Sequence, residues 1–332
     1  MDRYGKTLRF GSGILVSALV LRLALGGAFA PLVKFLTAPE TASMLLFLET
    51  GRVVRPTAPG IPTEPTEATA PQTAAPETQP KHAYTVFSPA DADLVEVNSA
   101  CGYTADVEAG LTQTLRWDLT EQAPTVLILH SHGSESYVPD GEYVESSPYR
   151  TLDVGYNVVS VGDRLVQVLE TGGVGAVHDR QLHDSPSYSN AYGNSRSSIE
   201  SYLAQHPSIR LVLDIHRDSV ENSSGEQLRF TTTVDGEPVA QLMLVVGTDA
   251  SGLSHPDWEE NMSLAVKLHA LLEKMAPGIC RPISLRSQRF NQDLSPGTLI
   301  IEVGSAGNTR QEALAAVEIL GQAILALSQG TP

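Results

Sequence analysis

Hydrophobic and polar positions divide the chain into three stretches of different character. From residue 10 to residue 36 the side chains are apolar with few interruptions, behind a basic flank of Arg3, Lys6 and Arg9. Residues 56–80 show no apolar period and are dense in Pro, Thr, Ala and Glu. From about Thr85 onward, short apolar runs alternate with segments of helical spacing.

The first stretch predicts a single-pass membrane anchor over 14–36, with 1–13 as a cytoplasmic basic tail. A span needs about 20 apolar residues, and a basic flank holds its own side in the cytoplasm, which sends the remainder outward. Arg22 interrupts the stretch. Its insertion cost of roughly 2.5–3.5 kcal/mol is one that many Leu, Val, Ala and Phe neighbours can offset. A signal peptide cleaved after Ala28-Phe29-Ala30 is the competing reading. The apolar run continues through Leu32, Val33, Phe35 and Leu36, which favours the anchor. On either reading the body is exported. Residues 37–84 are expected to be a juxtamembrane segment, with a short helix near 42–49, followed by a semi-extended Pro/Thr/Ala-rich linker with nothing to bury.

The third stretch, 85–330, predicts an α/β domain. Apolar runs at 126–129, 174–177, 209–215, 228–234, 242–246 and 299–303 read as strands. Helical spacing appears at 157–170 and 261–275. Two S/T-x-x-E capping boxes are present. Ser197-Ser198-Ile199-Glu200 opens or reinforces a helix toward Gln205, and Thr309-Arg310-Gln311-Glu312 leads a helix to about Leu327. Strands alternating with helices imply a mostly parallel sheet flanked by helices. Functional groups in such folds sit past the carboxyl ends of the strands.

Charge narrows the possible functions. The formal net charge is −16. Residues 1–55 carry seven basic and three acidic side chains, so the remainder stands at −20. An acidic body repels phosphates, which argues against nucleic-acid binding. The two cysteines, Cys101 and Cys280, form no C-x-x-C pair. They read as small buried hydrophobes, or as one disulfide in an exported body.

Three of the apolar runs end in reactive side chains. Residues 126–129 lead into His130-Ser131-His132-Gly133-Ser134-Glu135, residues 211–215 into His216-Arg217-Asp218, and the last run contains Glu302. In a parallel sheet these ends converge on one edge. Catalytic zinc takes imidazoles and a carboxylate as three ligands and leaves a fourth place for water. His132, Glu135 and His216 are therefore the candidate ligands, and Glu302 the candidate general base. His130 and His132 alternate, so His130 stays open as the first ligand. No HExxH helix and no G-x-S-x-G elbow is present, which gives zincin and serine-hydrolase chemistry little support.

At these residues the chain resembles the stage II sporulation protein P family of peptidoglycan hydrolases. The motifs are His130-Ser-His132-Gly-Ser-Glu135-Ser-Tyr137, then Tyr156-Asn157-Val158-Val159 with Val161-Gly162-Asp163. His178-Asp179, His183-Asp184 and Ser187-Tyr188-Ser189 follow. Asp214-Ile215-His216-Arg217-Asp218, Asn291 to Gly297, Ile301-Glu302-Val303-Gly304 and Asn308-Thr309 complete the series. The resemblance implies an amidase-like α/β fold related to zinc N-acetylmuramoyl-L-alanine amidases, with His132 and His216 as Zn2+ ligands and Glu302 as acid/base. Those amidases usually take a carboxylate ligand from the start of the first helix, where this chain has Asn157, so Glu135 is the replacement. His183, Arg217 and Gln292 are expected to face substrate, Arg217 because its fork suits a stem-peptide carboxylate. The resemblance further implies cleavage of stem-peptide cross-links and action in forespore engulfment, at the septal membrane of a spore-forming bacterium. It also implies peptidoglycan as substrate and stage II sporulation proteins D and M as partners. A zinc carboxypeptidase and a silent wall-binding scaffold are the alternatives.

Overall fold

The computed structural model describes residues 87–329 apart from 116–118, 120–122 and 140–142. The expected anchor, basic tail and linker lie outside the described residues. The elements are β1 (Val97–Ser99), α1 (Val107–Thr112), β2 (Val126–Leu129), β3 (Glu145–Ser147), β4 (Arg150–Thr151), α2 (Val158–Thr171), β5 (Ala176–His178) and α3 (Ala191–Gln205). They continue with β6 (Leu211–Asp218), β7 (Thr231–Val234), β8 (Glu237–Ala240), β9 (Leu242–Gly247), α4 (Trp258–Met275), β10 (Ile283–Arg286), β11 (Thr298–Ser305) and α5 (Arg310–Gln329).

Seven strands form one mixed sheet in the order β1-β10-β9-β11-β6-β2-β5. β11, β6, β2 and β5 run parallel to one another. β1, β10 and β9 form a second parallel block. The blocks meet antiparallel where β9 pairs β11, so their carboxyl ends lie at opposite edges. β5 lies on one side of β2 and β6 on the other. The chain therefore reverses direction across the sheet at β2, and the crevice past β2 and β6 is where such sheets bind ligands.

Side chains alternate between the two faces of a strand, and here both faces are covered. Val126, Ile128, Leu211, Leu213, Ile215, Leu299, Ile301 and Val303 join the cluster that includes α2, α4 and α5. Leu127, Leu129 and Val212 pack instead with Ile199 of α3. Two covered faces explain why these strands read as unbroken apolar runs. Each such side chain contributes about 1.5–3 kcal/mol when fully buried. α5 is long and apolar enough to cross a membrane, with a mean hydropathy of 1.2. Ala313, Val317, Leu320 and Ile324 of this helix are buried in the main core, which accounts for its composition.

Helix starts follow local chemistry. Asn157 caps α2, its side chain accepting from Val159 N at 3.0 Å. The Thr309 box forms as expected: Thr309 N donates to Glu312 Oε2 at 3.1 Å and Glu312 N to Thr309 Oγ1 at 3.3 Å. The Ser197 box does not. α3 already begins at Ala191, and Ser197 Oγ donates to Gly193 O at 3.2 Å as an interior helix residue. The expected strand 228–234 shrinks to β7, which pairs only with β8 outside the main sheet. Cys101 and Cys280 are free, half-buried thiols packed on the core. Val97 pairs Ile283 in parallel register, so Cys101 follows β1 while Cys280 precedes β10, at opposite ends of the strand pair, and no disulfide joins them.

Candidate metal centre

Strand alternation sorts the three candidate histidines. His130 follows β2 on the face of Val126 and Ile128, toward α2. It is fully buried, with Nδ1 2.9 Å from Ile215 O and Nε2 2.8 Å from His178 Nε2. Burial, with His178 beside it, pushes its pKa down to about 3, so it stays a neutral interior group. His216 lies on the other face of β6, with Asp214 and Val212. His132 sits in the turn beyond β2, its ring centroid 5.3 Å from that of His216. Among the described residues, His132, Glu135 and His216 offer one ligand atom each within 4.8 Å of one another. Of the two alternatives for the first ligand, His132 is therefore the one in the group.

Glu135 bridges the pair. Its Oε1 is 3.7 Å from His132 Nδ1 and its Oε2 3.3 Å from His216 Nδ1. Burial opposes its charge, yet the Arg217 guanidinium and the adjoining His132 and His216 imidazoles hold its carboxyl well below the usual range. The far nitrogen of His216 lies 2.9 Å from Asp214 Oδ1. Asp214 is itself held by Ser131 N at 2.7 Å and Ser131 Oγ at 2.6 Å. That carboxylate stands behind the His216 ring, where carboxylates orient metal-bound imidazoles, as a close ion-pair contact rather than an aligned hydrogen bond.

Glu302 of β11 is the register partner of His216 and lines the same cleft, which has a volume of about 510 Å3. Its Oε2 is buried without a hydrogen-bond partner among the described residues. Burial pushes its pKa up to about 8, opposed by His216 and reinforced by Glu135. The strand breaks register just past it, between Glu302 and Ser305, where Gly304 takes φ +68°. That left-handed conformation suits glycine, and an added Cβ would meet Asn308 Oδ1 at 2.9 Å.

Other expected site residues are placed differently. Arg217 borders the cleft, but its guanidinium is used internally: Nε donates to Ser136 O at 2.9 Å and the fork to Tyr149 O at 2.8 Å. It clamps the loops that carry Glu135 and Arg150 rather than offering a free fork to substrate. His183 does not line the cleft; it is buried with Nε2 2.9 Å from Asp179 Oδ2. Gln292 accepts from Gly247 N at 2.7 Å and donates to Val245 O at 2.8 Å. It plugs the carboxyl end of β9, which is the opposite sheet edge. Asn157 spends its side chain on the α2 cap and on Thr151 O, leaving the anionic ligand to Glu135.

Sequence reasoning assigned no site role to Arg150, Tyr188 or Tyr192, which also line the cleft. Arg150 arrives on the β3–β4 hairpin and binds Asp184 at 2.9 Å and Glu135 at 3.3 Å. A two-residue strand leaves no periodic signal. Asp214 was reachable, since it stands two positions before His216 and so shares its face.

The donors fit a zinc-type ion. They are two imidazoles and one ionised carboxylate, open to a cleft that admits a further ligand. Fold and site together define an α/β protein with a candidate metallohydrolase centre at the carboxyl edge of its main parallel block.

The chain belongs to the stage II sporulation protein P family, whose model matches residues 59–325. It is 31% identical over 206 residues to the stage II sporulation protein P of Bacillus subtilis, covering 58% of this chain and 48% of that protein. The match thus spans about half of that relative's length. Among solved structures, an N-acetylmuramoyl-L-alanine amidase of Nostoc punctiforme is similar at 18% identity, covering 63% of this chain and 99% of that one, with a TM-score of 0.39. Another, from Clostridium difficile 630, is 13% identical, covering 62% and 97%, with a TM-score of 0.39.

Proposed function

We propose that this chain is a zinc-dependent peptidoglycan amidase that hydrolyses the bond between N-acetylmuramic acid and L-alanine. The observation that carries the reading is the His132–Glu135–His216 group facing Glu302 across one cleft. A bound zinc ion would supply an acidified water and a Lewis acid for the amide carbonyl. His132, Glu135 and His216 would hold the ion, with the Asp214 carboxylate in contact behind the His216 ring. Glu302 takes the proton from the attacking water and passes it to the departing alanine nitrogen. Its unpartnered oxygen and its elevated pKa suit a group that both accepts and returns a proton near neutrality.

Family membership supports a sporulation role. We extend the proposal to action outside the cytoplasmic membrane during engulfment, from an anchored chain working with stage II sporulation proteins D and M. Cleavage of stem-peptide cross-links is a second activity to be looked for.

The test is digestion of purified peptidoglycan by the full chain in detergent, with products identified by mass spectrometry. Whole stem peptides freed from glycan are expected. Glu302→Gln should lower their release by roughly 10²–10⁴-fold, the range for loss of a general acid–base. Release of single residues instead would replace the amidase reading with a carboxypeptidase.

A further inference from the structure

Tyr188 stands in a short turn of 3-10 helix, Tyr188–Asn190, between β5 and α3. It is a large aromatic that remains 56% exposed, yet its position is fixed on two sides. Its ring stacks on the His132 imidazole, with centroids 4.4 Å apart and planes 26° from parallel. The Arg150 guanidinium lies 4.7 Å over the same ring, held in turn by Asp184 and Glu135. The hydroxyl ends 3.4 Å from His132 Nδ1, the nitrogen that faces Glu135.

That geometry leaves the phenol with unused donor capacity. An O–H donor prefers about 2.7–2.8 Å, so the contact to Nδ1 is long. Nδ1 is the His132 nitrogen nearest Glu135, and an ion held there would take up the lone pair that the hydroxyl faces. The donor must then turn to an oxygen in the cleft. Tyr188 lines the same cleft as His132, His216 and Glu302, so a substrate carbonyl oxygen bound beside the group that would hold the ion comes within reach of a hydroxyl already next to His132. The two arginines of the wall are already committed. Arg150 serves Ser134, Glu135 and Asp184, and Arg217 serves Ser136 and Tyr149.

We propose that Tyr188 is a catalytic residue, its hydroxyl donating a hydrogen bond to the scissile carbonyl oxygen as that oxygen gains negative charge. The phenol keeps its proton throughout; it stabilises charge and transfers nothing. The inference rests on the amidase reading above. Stacking on His132 and bonding to the oxygen are separable roles, because phenylalanine keeps the ring and loses only the hydroxyl.

The experiment compares wild type with Tyr188→Phe in the zinc-loaded full chain. Three quantities are read: zinc content, kcat and KM on peptidoglycan fragments, and affinity for a phosphinic-acid analogue of the muramoyl–alanine amide. The expected result is unchanged zinc content, KM within about twofold, and kcat lowered roughly 10²-fold, as for loss of one oxyanion donor. Phosphinate affinity should fall with kcat, since both report the charged oxygen. Tyr188→Phe with wild-type kcat and wild-type phosphinate affinity overturns the inference and leaves the amidase reading standing. A wild type that binds zinc and phosphinate but frees no stem peptide contradicts the amidase reading, while the two phosphinate affinities still decide the role of the hydroxyl.

Discussion

Glu135 sits where the competing charges of the site meet. Two histidines and two arginines approach one buried carboxylate. Without an ion, the pair His216–Glu135 satisfies itself by holding a proton: burial disfavours a charged His216, but Asp214 and then Glu135 raise its pKa well above the ordinary value. Zinc requires the neutral imidazole, so loading the ion must expel that proton. Calorimetry of zinc binding near pH 7, in buffers of different ionisation enthalpy, should therefore show close to one proton released per ion. Zinc affinity should weaken as pH falls. Binding without proton release would contradict this arrangement. The same raised pKa sets the sign for the ion-free protein. The contribution of His216 to stability is full below the unfolded-state value near 6.5. It fades as pH rises through the folded value.

At the scale of elements, helix α2 and strand β2 lock together through small and polar groups rather than bulk. A Cβ on Gly162 would stand 2.7 Å from the Nε2 atoms of both His130 and His178, which are pinned to each other and to Ile215 O. Gly162→Ala should gain about 0.5–1 kcal/mol in helix propensity and lose about 1–3 kcal/mol to overpacking, a net destabilisation. Urea unfolding measures it, and an increase in stability would mean that the histidine pair is not packed there. The sequence made the long elements legible because their apolar period was strong: β2, α2, β6, α4, β11 and α5 stand within a few residues of expectation. It hid β1, β10 and the β3–β4 hairpin, which are short or polar. It left the start of α3 open, because Ser197-x-x-Glu200 has the spacing of a cap whether or not a helix begins there. His132, Glu135, His216 and Glu302 were legible as residues that end apolar strands. Gln292 was not, because a motif beside a strand does not say at which sheet edge it lies.

At the scale of the molecule, the antiparallel junction between β9 and β11 decides where chemistry can occur. It gathers the ends of β2, β6 and β11 at one edge and sends the ends of β9, β10 and β1 to the other. All four proposed zinc and proton-handling groups fall on the first edge, at the point where strand order reverses. An ion held only by the folded state also stabilises that state, by an amount that grows with the ratio of free ion to its dissociation constant. Activity and stability should thus respond to the same ion. The most direct test treats the full chain in detergent with a chelator, adds zinc back, and follows stem-peptide release from peptidoglycan beside the unfolding temperature. The account predicts about one zinc per chain, with release and unfolding temperature falling together on chelation and recovering together on zinc addition. Undiminished stem-peptide release by a protein shown to be free of metal would contradict it.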